Sequence, residues 1–270
     1  MEGDKPVLVI VIPCYNEEEV FSETAESLSQ KTSQLVSLGL ISQKSTLFFV
    51  DDGSKDHTWS LIEKHHRKNP QVINGIKLSV NIGHQNALLC GLLSVRDYAD
   101  VTVSIDADLQ DDINAIEKMI EYYLAGSEIV YGVRSGRGTD GFFKKTSAGL
   151  FYRLMCFMGA DLVYNHADFR LMARKVLDAL AGYNEENLFL RGIVPTLGFK
   201  ADIVYYKRRK RSAGKSKYTL WKMLKLALNG IALSGIIGKR RKKNHPGKKH
   251  CTKYRIEKIL FPAELMNAWQ

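Results

Sequence analysis

Val101-Thr102-Val103-Ser104-Ile105-Asp106-Ala107-Asp108-Leu109-Gln110 is the stretch that decides the architecture, an apolar run of strand length that stops at paired acids. The same arrangement occurs twice upstream. The apolar run at residues 7–12 leads into Pro13-Cys14-Tyr15-Asn16-Glu17, and that at 47–50 into Asp51-Asp52. In a parallel α/β sheet all strands point one way, so residues that follow strands meet along one edge, where ligands bind. Carboxylates gathered there repel one another unless a cation or a phosphate-bearing ligand gives them something to hold.

Strand-like and helix-like patterns alternate outward from these runs, as in βαβ units. Strands are predicted at 7–12, 46–50, 73–78, 101–105, 128–133 and 199–206. The first is continuously apolar and ends at Pro13, as for a strand covered on both faces. Helices are predicted at 17–38, from Asp56 as N-cap through His66, at 85–95, 113–124, 142–158 and 173–180, and from about Thr219 to Ile237. Residues 135–141 hold three glycines among polar side chains and read as a loop.

The chain has 270 residues, 45% hydrophobic and 25% charged, enough to bury a substantial core. Its mean hydropathy of -0.19 and the lack of a long uncharged run argue against a spanning helix. No signal peptide is expected, because the first apolar run is short and follows Glu2 and Asp4. Cys14, Cys90, Cys156 and Cys251 are far apart in sequence, which suits reduced, cytosolic cysteines. The net charge of +10 is unevenly spread: 19 Lys and Arg lie between Lys200 and Arg255 against the single acid Asp202, so the rest of the chain is net acidic. Such a basic end seeks a polyanion.

Two readings of residues 106–110 compete on the residues alone. In an extended segment Asp106, Asp108 and Gln110 project to one side and offer three oxygens to a hard cation such as Mg²⁺ or Mn²⁺, which would neutralise a diphosphate leaving group. The other reading is a capping turn ahead of the 113–124 helix, with Asp111 or Asp112 as cap. Asp51-Asp52-Gly53-Ser54 is by itself an ordinary turn. Asn16 and Glu17 read equally as a helix start, although Tyr15 and Glu17 also offer an aromatic face and a carboxylate to a nucleobase. His84, His166 and the pair His65-His66 show no partner spacing and are read as surface or core side chains.

Together with these stretches, Asn81-Ile82-Gly83-His84-Gln85-Asn86-Ala87, Val130-Tyr131-Gly132-Val133-Arg134, Ala167-Asp168-Phe169-Arg170-Leu171-Met172 and Gly214-Lys215-Ser216-Lys217-Tyr218 resemble the ordered motifs of family 2 glycosyltransferases. The resemblance spans about residues 6–231 and is nearest to the branch that moves a sugar to a polyisoprenyl phosphate. It implies a nucleotide-sugar-binding, Rossmann-like GT-A sheet over residues 1–218, and inverting transfer of a hexose from a nucleotide-diphosphate sugar, with UDP favoured. By the same resemblance Pro13, Tyr15, Glu17, Asp51 and Asp52 hold base and ribose, and Asp106, Asp108 and Gln110 hold Mg²⁺ or Mn²⁺ and the diphosphate. Arg134 and Arg137 would hold phosphate on the acceptor side, with Arg170 and Lys215 as further candidates beside Arg191; simple salt bridges are the alternative for these last three. Asp168 would serve either as base or in positioning, since a phosphate monoester near doubly anionic at neutral pH needs little deprotonation. A soluble enzyme glycosylating a saccharide or protein, and an inactive nucleotide-binding remnant, stay open.

Bacterial members of that branch continue into two membrane-spanning helices, whereas here only 13 uncharged residues separate Lys225 from Lys239. Too short to span, residues 219–238 carry Lys222, Lys225 and Asn229 on a narrow polar stripe, which predicts a helix lying in an anionic membrane interface on the cytoplasmic side. Residues 239–270 are expected to be a poorly ordered basic tail. No nucleic-acid partner is expected, because no binding motif accompanies the charge. Peripheral attachment predicts release from membranes by high-salt and carbonate washes; a chain that keeps pelleting with them would contradict it.

Overall fold

The computed structural model describes residues 5–135, 166–183, 190–208 and 255–261. Strand β1 (Leu8–Cys14) is followed by α1 (Glu18–Ser37), β2 (Thr46–Asp51), α2 (Thr58–Lys68), β3 (Ile73–Leu78) and α3 (His84–Ser94). Next come β4 (Val101–Ser104), α4 (Ala115–Leu124), β5 (Ile129–Arg134), β6 (His166–Ala173) and α5 (Arg174–Ala181). Helix α6 (Leu190–Thr196) and strands β7 (Ala201–Tyr206) and β8 (Ile256–Leu260) complete the described elements.

All eight strands join one sheet in the order β7-β5-β6-β4-β1-β2-β3-β8. Strands β4, β1, β2 and β3 are parallel neighbours, and β5 pairs in parallel with β7. β6 lies antiparallel between β4 and β5, and β8 antiparallel outside β3. The expected α/β architecture, a mostly parallel sheet flanked by helices, is therefore the one this chain forms.

Alternation along the strands builds a core on each face of the sheet. From β1, Leu8, Ile10 and Ile12 pack with Phe21, Leu28, Ile62, Ile116 and Ile120 of α1, α2 and α4. Val9 and Val11 pack on the other face with Leu88, Leu92, Val176, Leu177 and Ile193 of α3, α5 and α6. Both faces are covered, which is why β1 and β2 are buried along their whole length. Gly91 lets α3 approach closely: a Cβ there would lie 2.5 Å from Val50 Cγ2 and 2.7 Å from Val11 Cγ1. Cys14 and Cys90 are buried.

The structure departs from the sequence reading in four places. β1 continues through Pro13 to Cys14, a strand end where proline is tolerated. β6 carries two charges in a central position and was not predicted as a strand; Asp168 and Arg170 lie 3.8 Å apart there, so each offsets the other's burial. Helix α2 starts at Thr58, and Asp56 caps it from two residues back by accepting from the Thr58 N–H at 3.0 Å. Within the tail expected to be poorly ordered, residues 256–260 form β8, which joins the central sheet beside β3. Its hold is both apolar and ionic: Phe261 lies 5.5 Å from the Phe48 ring, and Lys258 and Glu257 pair with Glu63 and Lys77. The helices predicted at 142–158 and 219–237 lie outside the described residues. Among the described residues no helix is long and apolar enough to cross a membrane.

Gly91→Ala tests the packing of α3. Helix propensity alone would raise stability by about 0.5–1 kcal/mol, whereas overpacking costs about 1–3 kcal/mol. The expected result is a Tm lowered by several degrees in a thermal melt, and a rise would contradict the packing described.

Candidate active site

The C-terminal edge of β3, β2, β1 and β4 collects the acidic motifs. In register, Cys14 pairs with Asp51 and Val11 with Ser104, so the loops after β2 and β4 flank the loop after β1. Backbone donors sew these loops together. Asn16, in a left-handed conformation, donates its N–H to Ser54 Oγ at 2.9 Å and accepts the Lys55 N–H at 2.8 Å. The Glu17 N–H reaches Thr58 Oγ1 at 2.9 Å, and the Asp52 N–H reaches the Cys14 carbonyl at 2.8 Å. Gly53 has φ +65°, and a side chain there would strike the Val80 backbone, so glycine is required at this turn.

Within this frame Tyr15 and Glu17 are half-buried at the rim, while Pro13 is buried inside β1. Asp51 is fully buried and accepts the Ser54 N–H at 3.1 Å, and its Oδ2 has no hydrogen-bond partner among the described residues. Burial pushes its carboxyl up. Asp52 accepts the N–H groups of Ile82 and Gly83 at 2.7 and 3.0 Å, fixing the loop that starts α3. Burial nevertheless raises its carboxyl to about 6, against the pull of those two donors.

The loop after β4 is a turn, not an extended segment. Leu109 takes φ 51°, a conformation costly for a branched apolar residue, and the Gln110 N–H folds back to Asp108 Oδ1 at 3.2 Å. Thr24 of α1 pins the turn by donating to the Ala107 carbonyl at 2.6 Å. The alternation expected to line up three oxygens therefore does not hold. Gln110 Oε1 accepts from Arg208. Asp106 stays half-buried at the rim and Asp108 is buried close by. Burial is the main reason the Asp106 carboxyl is pushed up; His84 acts against it, and Asp111, Asp168 and Asp108 add to the rise. The capping alternative does not hold either: the N-cap of α4 is Asn114, with no side-chain cap, and Asp112 accepts the Asn114 N–H at 3.2 Å in the turn ahead of the helix.

Two further clusters border this edge. Asp111 Oδ1 accepts from Arg134 Nη2 at 3.2 Å and from the Tyr206 hydroxyl at 2.6 Å, and Arg134 Nε donates to Tyr206 Oη at 3.2 Å. This sets Arg134, at the end of β5, beside the turn after β4. Continuing the antiparallel Ser104–Arg170 pairing by two residues brings Asp168 beside Asp106. Asp168 accepts a bidentate pair from Arg191 at 3.0 and 2.8 Å and a hydrogen bond from Gln85 at 2.9 Å. His84 Nε2 lies 3.3 Å from Asp168 and 3.5 Å from Asp106. Burial works against the charges, yet Arg191 and His84 hold the Asp168 carboxyl well below the usual range. Burial likewise opposes the imidazolium, but Asp168 and Asp106 raise His84 to about 9.

His84 and Gln85 were missed from sequence. Their available signal was position, at a helix start directly after a strand on the ligand-binding edge. Arg191, read as a secondary candidate with a solvated charge or salt bridge as the alternative, is bound to Asp168. Arg170 is not brought to the rim: it is 1% exposed, with its guanidinium 5.6 Å from the Tyr131 ring and close to the Leu190 carbonyl. Buried there, it cannot meet a ligand phosphate without unfolding the sheet around it. Arg137 and Lys215 lie outside the described residues.

The residues at the turn fit a hard divalent cation. Asp106 and Asp108 supply two carboxylates at one turn, and such ions complete their shell with ligand phosphates and water. Among the described residues no group of three or more His, Cys, Asp or Glu forms a protein-only cage.

A mostly parallel sheet with acidic loops along one edge places a candidate ligand site there, and comparison with known proteins bears on its function directly. The sequence profile of Glycosyl transferase family 2 matches residues 9–181, and the chain belongs to that family. It is 54% identical over 231 residues to the uncharacterized glycosyltransferase YkoT of Bacillus subtilis, covering 86% of this chain and 68% of that one. With the prophage bactoprenol glucosyl transferase homolog of Escherichia coli it shares 38% over 228 residues, covering 82% of this chain and 70% of that protein. Its fold is similar to that of glucosyl-3-phosphoglycerate synthase from Mycobacterium tuberculosis, solved with Mn²⁺, UDP and phosphoglyceric acid. The TM-score is 0.55 at 18% identity, over 97% of this chain and 91% of that one. The protein is a glycosyltransferase.

Proposed function

We propose that this glycosyltransferase moves a hexose from a UDP-sugar to a polyisoprenyl phosphate, with inversion, using Mg²⁺ or Mn²⁺. The observation that carries the reading is the crowding of Asp106 and Asp108 at the edge shared with Asp52 and Glu17, a charge arrangement that a cation-bound diphosphate satisfies. The acceptor is supported by the name of the Escherichia coli relative, a bactoprenol glucosyl transferase homolog. Because the chain spans about two thirds of the length of the relatives it matches, substrates and membrane attachment belong to this proposal.

Tyr15 and Glu17 face the base and ribose from the β1 loop, with the buried Asp51 and Pro13 holding that loop in shape. Asp52 ties the β2 end to the start of α3 and keeps the pocket wall fixed. Asp106 and Asp108 hold the cation, which when bound supplies positive charge to the departing diphosphate oxygens. Arg134, oriented by Asp111 and Tyr206, meets the acceptor phosphate; Gln110 is held by Arg208 at the turn's outer side. An acceptor phosphate oxygen attacks the anomeric carbon as its bond to the diphosphate breaks. The electron pair leaves with the nucleotide, and in-line attack inverts the centre.

A thermal-shift panel tests the donor side. UDP with Mn²⁺ at about 100 times its Kd should add about 2.7 kcal/mol, a Tm rise of several degrees, with smaller effects for GDP or for UDP alone. Asp108→Asn should fold but lose both the metal-dependent rise and transfer of labelled sugar to a short prenyl phosphate. Transfer to saccharides in preference to prenyl phosphate would contradict the acceptor, and a shift that ignores the metal would contradict the cation.

A further inference from the structure

Both oxygens of Asp168 are engaged by protein donors, Oδ2 by three of them and Oδ1 by Arg191. A carboxylate offers about four acceptor positions, and here four N–H donors approach its two oxygens: Arg191 Nε at 3.0 Å, Arg191 Nη2 at 2.8 Å, Gln85 Nε2 at 2.9 Å and His84 Nε2 at 3.3 Å. A third cationic side chain, Arg170, stands 3.8 Å from Oδ1, and the Asp168 side chain is only 5% exposed. A general base must reach the proton it takes at hydrogen-bond distance, and among the described residues this nearly buried carboxylate is already held by Arg191, Gln85 and His84. The phosphate-type acceptor proposed for the reaction needs little deprotonation in any case.

What Asp168 does hold is informative. His84 opens α3, whose preceding residue Gly83 is bound to Asp52, and Arg191 comes from α6 on the same face of the sheet. The imidazole bridges two carboxylates, with Nε2 3.3 Å from Asp168 and 3.5 Å from Asp106. One face of the Asp106 carboxylate is thus backed by a side chain that Asp168 fixes. A group behind a metal-binding carboxylate sets its orientation, and removing such a partner costs about 10–100-fold in metal affinity or activity.

We propose that Asp168 is a positioning residue and not the proton acceptor: it clamps His84 and Arg191, and His84 carries that placement to Asp106, where the donor diphosphate is bound. This rests on the reading of Asp106 and Asp108 as the donor site. His84 is then part of donor binding, although it need not touch the sugar.

Isothermal titration calorimetry of UDP in the presence of Mn²⁺ separates the possibilities, run on wild type, His84→Gln, Asp168→Asn and the double variant. The expected result is Kd raised about tenfold by each single variant, with the double variant raised by less than the product because the two act as one unit. In transfer assays the same variants should raise KM for the sugar nucleotide more than they lower kcat. Should Asp168→Asn fail to fold because Arg170 is left unpaired, His84→Gln alone decides, since its side chain is partly exposed at the rim. Wild-type Kd in both single variants, with kcat lost by about 100-fold or more in Asp168→Asn, would overturn this inference while leaving the donor site standing. No Mn²⁺-dependent UDP binding by the wild type would overturn the donor site itself, and this inference with it.

Discussion

Mutual repulsion among carboxylates is the constraint around which this molecule is arranged. Asp51, Asp52, Asp106, Asp108, Asp111 and Asp168 all arrive at one end of the sheet, most of them largely out of water. Buried carboxylates need donors or cations, and the fold supplies these unequally. Asp52 is met by two backbone N–H groups, Asp111 by Arg134 and Tyr206, and Asp168 by two side chains and a guanidinium pair. Among the described residues Asp106 is met by the edge of His84, and burial, with its acidic neighbours adding to it, keeps its carboxyl pushed up. Asp51 Oδ2 has no hydrogen-bond partner among the described residues, and it is at the neighbouring turn after β4 that the proposed cation and diphosphate would bind.

Local geometry serves that concentration. Leu109 accepts an unfavourable backbone conformation, and Thr24 reaches from α1 to hold the Ala107 carbonyl, so the turn is supported by packing and not by its own sequence. Gly53 and Gly91 allow close approach where the loops and α3 meet the strands. Far from the site, β8 closes the β3 edge, so residues near the end of the chain take part in the same sheet that carries the acids.

Much of this was legible in the sequence because β1 to β5 are apolar runs that end in acids or turn residues, and the helices between them repeat at their own period. The edge assignment of Glu17, Asp52 and Asp106 followed from those runs alone. β6 was not legible, since Asp168 and Arg170 interrupt it and are tolerated only through partners distant in sequence, Arg191 and Tyr131 among them. β8 was hidden for the same reason, its Glu257 and Lys258 answering Lys77 and Glu63. Arg170 looked like a ligand cation because sequence shows its charge but not its burial. His84 looked idle because a histidine's partners are set by which strand lies beside which.

The central claim is that Asp106 and Asp108 together hold the cation that carries the donor's diphosphate. A crystal structure of the protein with UDP and Mn²⁺, read by anomalous scattering from the metal, addresses it directly. The account predicts one Mn²⁺ bound by carboxylate oxygens of Asp106 and Asp108 and by the diphosphate. An ion placed elsewhere, or UDP seated without any contact to that turn, would contradict it.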